Sequence, residues 1–209
     1  CEGFRAMSVW QVLLFIPAAA LVALSPGANN LLAFAAGTRA GWRRAALGVP
    51  GRMAAWSVLV VLVSLGLHAV LDASEILFVA IKWLGVAYLV YLAWKLWHAD
   101  TGPAAAPPGS AVLMRREFLT LMGNPKAYLV LTAFLPSFVD TTQAAMPQLL
   151  ALGGVYIAAE AVAALAWAGV GAFLGAHALT PLRRRLVNRV SAALMGAAAV
   201  MLARSHRAA

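Results

Sequence analysis

Apolar runs of 16 to 27 residues recur six times along this chain: Val9 to Leu24, Ala45 to Leu71, Ile76 to Trp97, Phe118 to Val139, Leu149 to Leu174 and Val187 to Ala203. A helix rises ~1.5 Å per residue, so about 20 apolar residues cross a hydrocarbon core ~30 Å thick. Six such stretches consume most of a chain of 209 residues and leave only short connections. Composition agrees: 63% of residues are hydrophobic and 11% charged, against ~45–50% and ~25% in soluble domains. The predicted architecture is an all-α polytopic membrane protein of six transmembrane helices. A disordered chain, a disulfide scaffold and a nuclear protein are disfavoured. The first run is short enough for a signal-peptide core, but it lacks a strongly basic leader, and apolar sequence resumes at Leu31. It reads as a span interrupted at Pro26-Gly27. Cys1 to Ala6 precede Met7 and are set aside in reasoning about the fold.

Charge follows the connections. Arg39, Arg43 and Arg44 lie between the first two runs, Lys95, Arg115 and Arg116 between the third and fourth, and Arg183, Arg184, Arg185 and Arg189 between the last two. The alternate connections carry Asp72, Glu75 and Asp140. Basic residues collect in cytoplasmic loops, so the pattern predicts both termini outside; Arg5, Arg204 and Arg207 pull the other way. A five-span chain, with one terminal run not crossing, is the alternative. The net charge of +9 reads as this topological signal, with membrane lipid as the partner and no nucleic acid.

Thr101 to Ser110, rich in Pro, Gly and Ala, divides a single membrane domain (residues 1–209) into two halves of three spans. The predicted organisation is repeat one over about 8–98, a linker at 99–112 and repeat two over about 113–205. Three is odd, so similar halves would insert in opposite senses as inverted repeats. An internal echo supports them: Ser25-Pro26-Gly27-Ala28-Asn29-Asn30-Leu31-Leu32 in the first half, Asn124-Pro125-Lys126-Ala127-Tyr128-Leu129-Val130-Leu131 in the second. Proline breaks at matching positions of two halves point to a transporter's binding site.

Proline inside a helix removes an N–H and frees a carbonyl, and broken backbone survives at membrane depth only inside protein or beside a cavity. Ser25, Asn29 and Asn30 around Pro26-Gly27, with Asn124 and Lys126 around Pro125, are therefore candidate substrate-binding groups. A half-helix starting after each break would aim its positive end at a carboxylate. A plain kink, its amides satisfying neighbouring backbone, is the competing interpretation.

These residues resemble the LysE/RhtB amino-acid exporters. The resemblance rests on Ser25-Pro26-Gly27-Ala28-Asn29 followed by Gly37, Gly41, Arg43, Arg44 and Gly48; on the stretch Lys82 to Trp97; and on Phe118-Leu119, Asn124-Pro125-Lys126-Ala127 and Phe134 to Val139. It covers nearly the whole chain after Met7. It implies a six-span exporter of the bacterial inner membrane that moves amino acids outward on the proton gradient. Two positions depart from the family pattern: Ala28 stands where a second proline is usual, and Arg52 follows Gly48-Val49-Pro50-Gly51 where many members carry an acid. Arg52 favours a zwitterionic substrate over lysine or arginine.

Arg52 lies roughly 10–12 Å inside one boundary of the second span, and Glu160 roughly 16–18 Å inside the fifth. Charges at that depth are costly, and they are usually paired or face a cavity. The two are expected to approach one another, Arg52 holding a substrate carboxylate and Glu160 exchanging protons or binding an ammonium group. A structural ion pair, or a snorkelling Arg52, is the alternative. Tyr88 is a candidate for stacking on substrate, although it and its aromatic neighbours read first as packing and interfacial residues. His68, His98, His177 and His206 lack ligand-like spacing, so no metal or other cofactor is expected. Gly171 and Gly175 predict a close helix crossing, with a homodimer through that face as a further option. No nucleophile–base set appears that would make the chain an enzyme. A membrane-embedded enzyme, a scaffold and a channel stand as alternatives to secondary export of a small amino-acid-like molecule.

Overall fold

The computed structural model describes residues 9–67, 75–98, 108–140, 142–177 and 181–204. Among them all regular structure is helical: α1 (Val9–Leu24), α2 (Ala28–Ala40), α3 (Trp42–Ala46), α4 (Val49–Leu62), α5 (Glu75–Trp97), α6 (Ser110–Met122), α7 (Pro125–Leu129), α8 (Ala145–His177) and α9 (Pro181–Arg204). α4 runs on into a π turn at Val63–Leu67, and α7 into a π turn at Val130–Phe134 and a 3-10 turn at Pro136–Phe138. Asp72, His68, His206, Arg5, Arg207 and the expected linker up to Pro107 lie outside the described residues, as do the side chains of Lys82, Pro125, His177, Arg183 and Arg184.

Two stretches, Trp42–Leu65 and Ala145–Gly175, are each long and apolar enough to cross a membrane. Two more crossings result if each bent pair counts as one: Gln11–Leu24 with Ala28–Ala40, and Ser110–Met122 with Lys126–Phe138, each bent by 60°. The bends fall at the two proline breaks, since a proline has no N–H to give the carbonyl of the preceding turn. The fourth apolar run is therefore no single straight helix. Its helix also begins at Ser110, eight residues before the expected Phe118. Arg115 and Arg116 consequently lie on α6, and Arg39 on the last turn of α2, where connections were expected. Hydropathy registers lipid-facing length, whereas a helix continues into the polar interface as long as its backbone bonds can form.

α2 lies along α8, α5 pairs with α9, and α4 packs on α6 and α8. The α2–α8 crossing is set by small residues. A Cβ on Gly171 would stand 2.2 Å from the Phe34 carbonyl oxygen, one on Gly175 2.5 Å from that of Thr38, and one on Gly37 2.2 Å from that of Ala168. The Gly-x-x-x-Gly pair is thus occupied within the chain, and its face is covered by α2 instead of being offered to a second copy. Gly51 lets α4 approach α6 as closely, 2.1 Å from a Cβ to the Met114 carbonyl oxygen. The main apolar core packs Phe15, Trp56, Leu121, Leu131, Leu152 and Tyr156 together. A second gathers Leu31, Leu92 and Met195 where α2, α5 and α9 meet.

A buried charge cluster at two broken helices

Breaking α1 from α2 frees the last carbonyls of α1 inside the protein, where each needs a donor. Asn30 supplies two: its Nδ2 donates to the Ala23 and Ser25 carbonyls at 2.8 and 2.9 Å. Lys126 Nζ reaches the same two oxygens, each at 3.3 Å, and Trp167 Nε1 donates to Leu24 O at 3.1 Å. Ser25, just past the end of α1, turns its hydroxyl back onto Val22 O in the last turn of that helix at 2.7 Å. Gly27 lies beside the Lys126 side chain, while Pro26 is exposed. At the second break, Asn124 caps α7 by accepting from the Lys126 amide at 3.1 Å, and Tyr128 Oη donates to Met122 O at 2.6 Å. Pro125 opens α7, a position where its missing N–H costs nothing.

The two breaks touch. Asn124 Nδ2 donates to Asn29 Oδ1 at 3.0 Å, and both residues are buried. Around this contact stand four charges. Arg52, fully buried, donates from Nε to Glu117 Oε2 at 2.9 Å, from Nη1 to Asn30 Oδ1 at 2.9 Å and from Nη2 to Asn29 O at 2.6 Å. Its Nη1 is also 3.6 Å from Glu160 Oε2. Glu160 Oε1 accepts from Tyr156 Oη at 3.0 Å and lies 3.7 Å from Lys126 Nζ. Asn29 Nδ2 donates to both the carboxylate and the carbonyl of Glu117, at 2.9 and 3.0 Å. Two cations face two anions, so the cluster sums to zero. Each charge at a helix centre costs roughly 2.5–3.5 kcal/mol on insertion scales; only mutual pairing makes four of them tolerable together.

Arg52 and Glu160 thus approach, as their depths predict, with Asn29, Asn30, Asn124 and Lys126 around them. Tyr88 stands apart: half-buried on α5, it packs against the second core, with its hydroxyl near Thr120 and its ring 6.2 Å from that of Tyr91. Two members were not singled out in the sequence. Glu117 directly follows Arg115 and Arg116 and so passes for part of a loop. No local signal marked it, because its contact with Asn29 is made across 88 residues of sequence. Tyr156, four residues before Glu160, shares a helix face with it.

A small internal cavity lies within the cluster, lined by Gly27, Asn29, Trp56, Asn124, Lys126 and Glu160 among others. Its free space admits about one water molecule. Trp56 is buried there, and its indole N–H has no hydrogen-bond partner among the described residues. A buried donor left unpaired is uncommon and calls for an explanation. Among the described residues no group of three or more His, Cys, Asp or Glu could hold a metal ion.

The chain is similar in sequence to known membrane proteins. A homoserine/homoserine lactone efflux protein of Salmonella typhi is 27% identical, the match covering 90% of this chain and 93% of that protein. A leucine efflux protein of Klebsiella pneumoniae is 29% identical, over 66% of this chain and 67% of its own. A membrane protein of Vibrio cholerae serotype O1 is 29% identical, over 93% and 96%. No solved structure matches significantly. The family model for LysE type translocators matches residues 20–206, a stretch that includes both proline breaks and all four buried charges. The chain is a multi-pass protein of the bacterial inner membrane and belongs to the LysE type translocator family.

Proposed function

We propose that the chain is a proton-coupled exporter of small zwitterionic amino acids or closely related metabolites. It would act as six spans in two inverted three-helix repeats. The observation that carries this reading is the meeting of the two 60° breaks, through Asn29 and Asn124, around a neutral set of buried charges. An amino-acid zwitterion has one charge of each sign and can enter such a set without unbalancing it. The looser contact is the place for it: Arg52 and Glu160 are 3.6 Å apart, while Arg52 and Glu117 are held at 2.9 Å. A substrate carboxylate would take Arg52 Nη1, with Lys126 beside it, and the ammonium would take Glu160. A proton reaching Glu160 from the other side then discharges it and releases the ammonium. Proton and substrate so compete for one carboxylate, which is the requirement for exchange. Homoserine and leucine, which appear in the names of two relatives, are zwitterions at neutral pH, in keeping with this class, whereas the homoserine lactone of the first name has no carboxylate.

In its present form the cavity is closed to an amino acid. Transport requires the two broken helices to part, and the Asn29–Asn124 bond is the contact that would open. Uptake of radiolabelled homoserine and leucine into inverted membrane vesicles, with and without a proton gradient, tests the proposal. Saturable uptake that collapses with the gradient is expected, and Glu160→Gln should abolish its pH dependence. Unsaturable passive flux, or a Glu160→Gln variant with wild-type rate and pH profile, would refute it.

A further inference from the structure

A second cleft opens where α2, α5 and α6 converge near the start of α4, and its free space is about 50 Å³, room for a few water molecules inside an open mouth. Its walls are apolar, from Leu32, Leu96 and Leu113. Three charged groups interrupt them: Arg39 and Arg116 toward the mouth and Glu117 at the inner end. Arg39 is exposed and Arg116 half-buried. Neither guanidinium has a carboxylate or other acceptor among the described residues, and both line the same cleft. This contrasts with Arg52, whose donors are met on every side. Glu117 belongs to both regions. Its Oε2 is bound by Arg52 and Asn29, and the residue also lines the cleft. The Arg52–Glu117–Asn29 bonds are therefore the partition between this cleft and the central cavity.

Two neighbouring guanidinium groups with no anion of their own form a fork for a carboxylate. An apolar wall suits an aliphatic side chain, and a carboxylate at the inner end suits an ammonium. We propose that this cleft is the loading site on the basic face. There Arg39 and Arg116 capture the substrate's carboxylate while its ammonium is presented to Glu117, before the partition parts. The inference rests on the export reading above and adds two specificity residues to it. Binding at this site favours molecules with a free carboxylate over their esters.

The test uses the full chain in proteoliposomes, with substrate supplied to the basic face. The probes are L-homoserine and L-homoserine lactone, which share a skeleton but differ in having or lacking a free carboxylate. In the double variant Arg39→Gln/Arg116→Gln the KM for homoserine should rise about tenfold or more, with the maximal rate within about twofold, because binding is lost and not a transition-state contact. The lactone concentration that half-inhibits uptake should move less than about twofold. Arg39→Lys/Arg116→Lys keeps both charges but not the planar guanidinium forks, and should recover only part of the homoserine KM. The measurements are made in phosphatidylcholine vesicles and repeated with added phosphatidylglycerol. An effect equal for both probes and present only with the anionic lipid would mean that the arginines bind lipid phosphate, and would overturn the proposal. Saturable wild-type uptake with an unchanged KM in the double variant overturns this inference alone. Absence of saturable wild-type uptake overturns the export reading and this inference with it.

Discussion

Replacing Glu117 with Gln isolates what the buried charges do for the fold. Gln keeps the shape and one acceptor oxygen, so the change is mainly electrostatic. It leaves Arg52 and Lys126 facing Glu160 alone, one uncompensated positive charge among groups with side-chain exposures of 0%, 20% and 4%. Breaking a buried pair by removing one partner costs about 3–5 kcal/mol, which is expected for Glu117→Gln. Lys126→Met leaves the opposite imbalance and also removes the donor to Ala23 O and Ser25 O, so it too is destabilising. The double variant restores neutrality, with Arg52 against Glu160. It should therefore be less destabilised than the sum of the two singles by roughly 0.5–3 kcal/mol, the range for residues sharing a network. Equilibrium unfolding in mixed detergent micelles, followed by the fluorescence of the chain's seven tryptophans, measures all three. Strict additivity, or a Glu117→Gln variant as stable as wild type, would refute the charge-balance argument.

Gly171→Val should destabilise by about 1–3 kcal/mol or more, because its Cβ would meet backbone 2.2 Å away and the crossing cannot absorb overpacking. Gly154→Ala, where nothing lies within 4 Å, should be neutral or stabilising by up to about 1 kcal/mol; the same unfolding measurement compares them, and equal effects would contradict the packing described. Trp56→Phe removes an indole N–H that has no partner among the described residues. The smaller ring leaves a void in the core and should cost about 0.5–3 kcal/mol, and because Trp56 lines the central cavity the KM for transported substrate should rise as well. An unchanged KM would show that the indole N–H plays no part in transport.

Much of this protein was legible in its residues because lipid imposes simple demands. Length and hydropathy located each apolar run, and α1 occupies the expected Val9–Leu24. Proline marked both breaks, since a ring without an N–H acts locally and needs no partner to be read. The depth of Arg52 and Glu160 required that each be paired or face a cavity. Their partners were a different matter. That Arg52 binds Glu117 across 65 residues of sequence, and that Asn124 meets Asn29 across 95, depends on which helix faces lie together. No local pattern encodes that choice. Glu117 looked like loop charge because hydropathy fell at Arg115, yet α6 carries it inward to Arg52 and Asn29. Gly171 and Gly175 announced a close crossing, but only the packed helices revealed that α2 fills it. The sequence by itself determined where the chain would bend and which charges would need company. The tertiary structure decided which side chains answer, because burial turns a choice among distant partners into one low-energy arrangement.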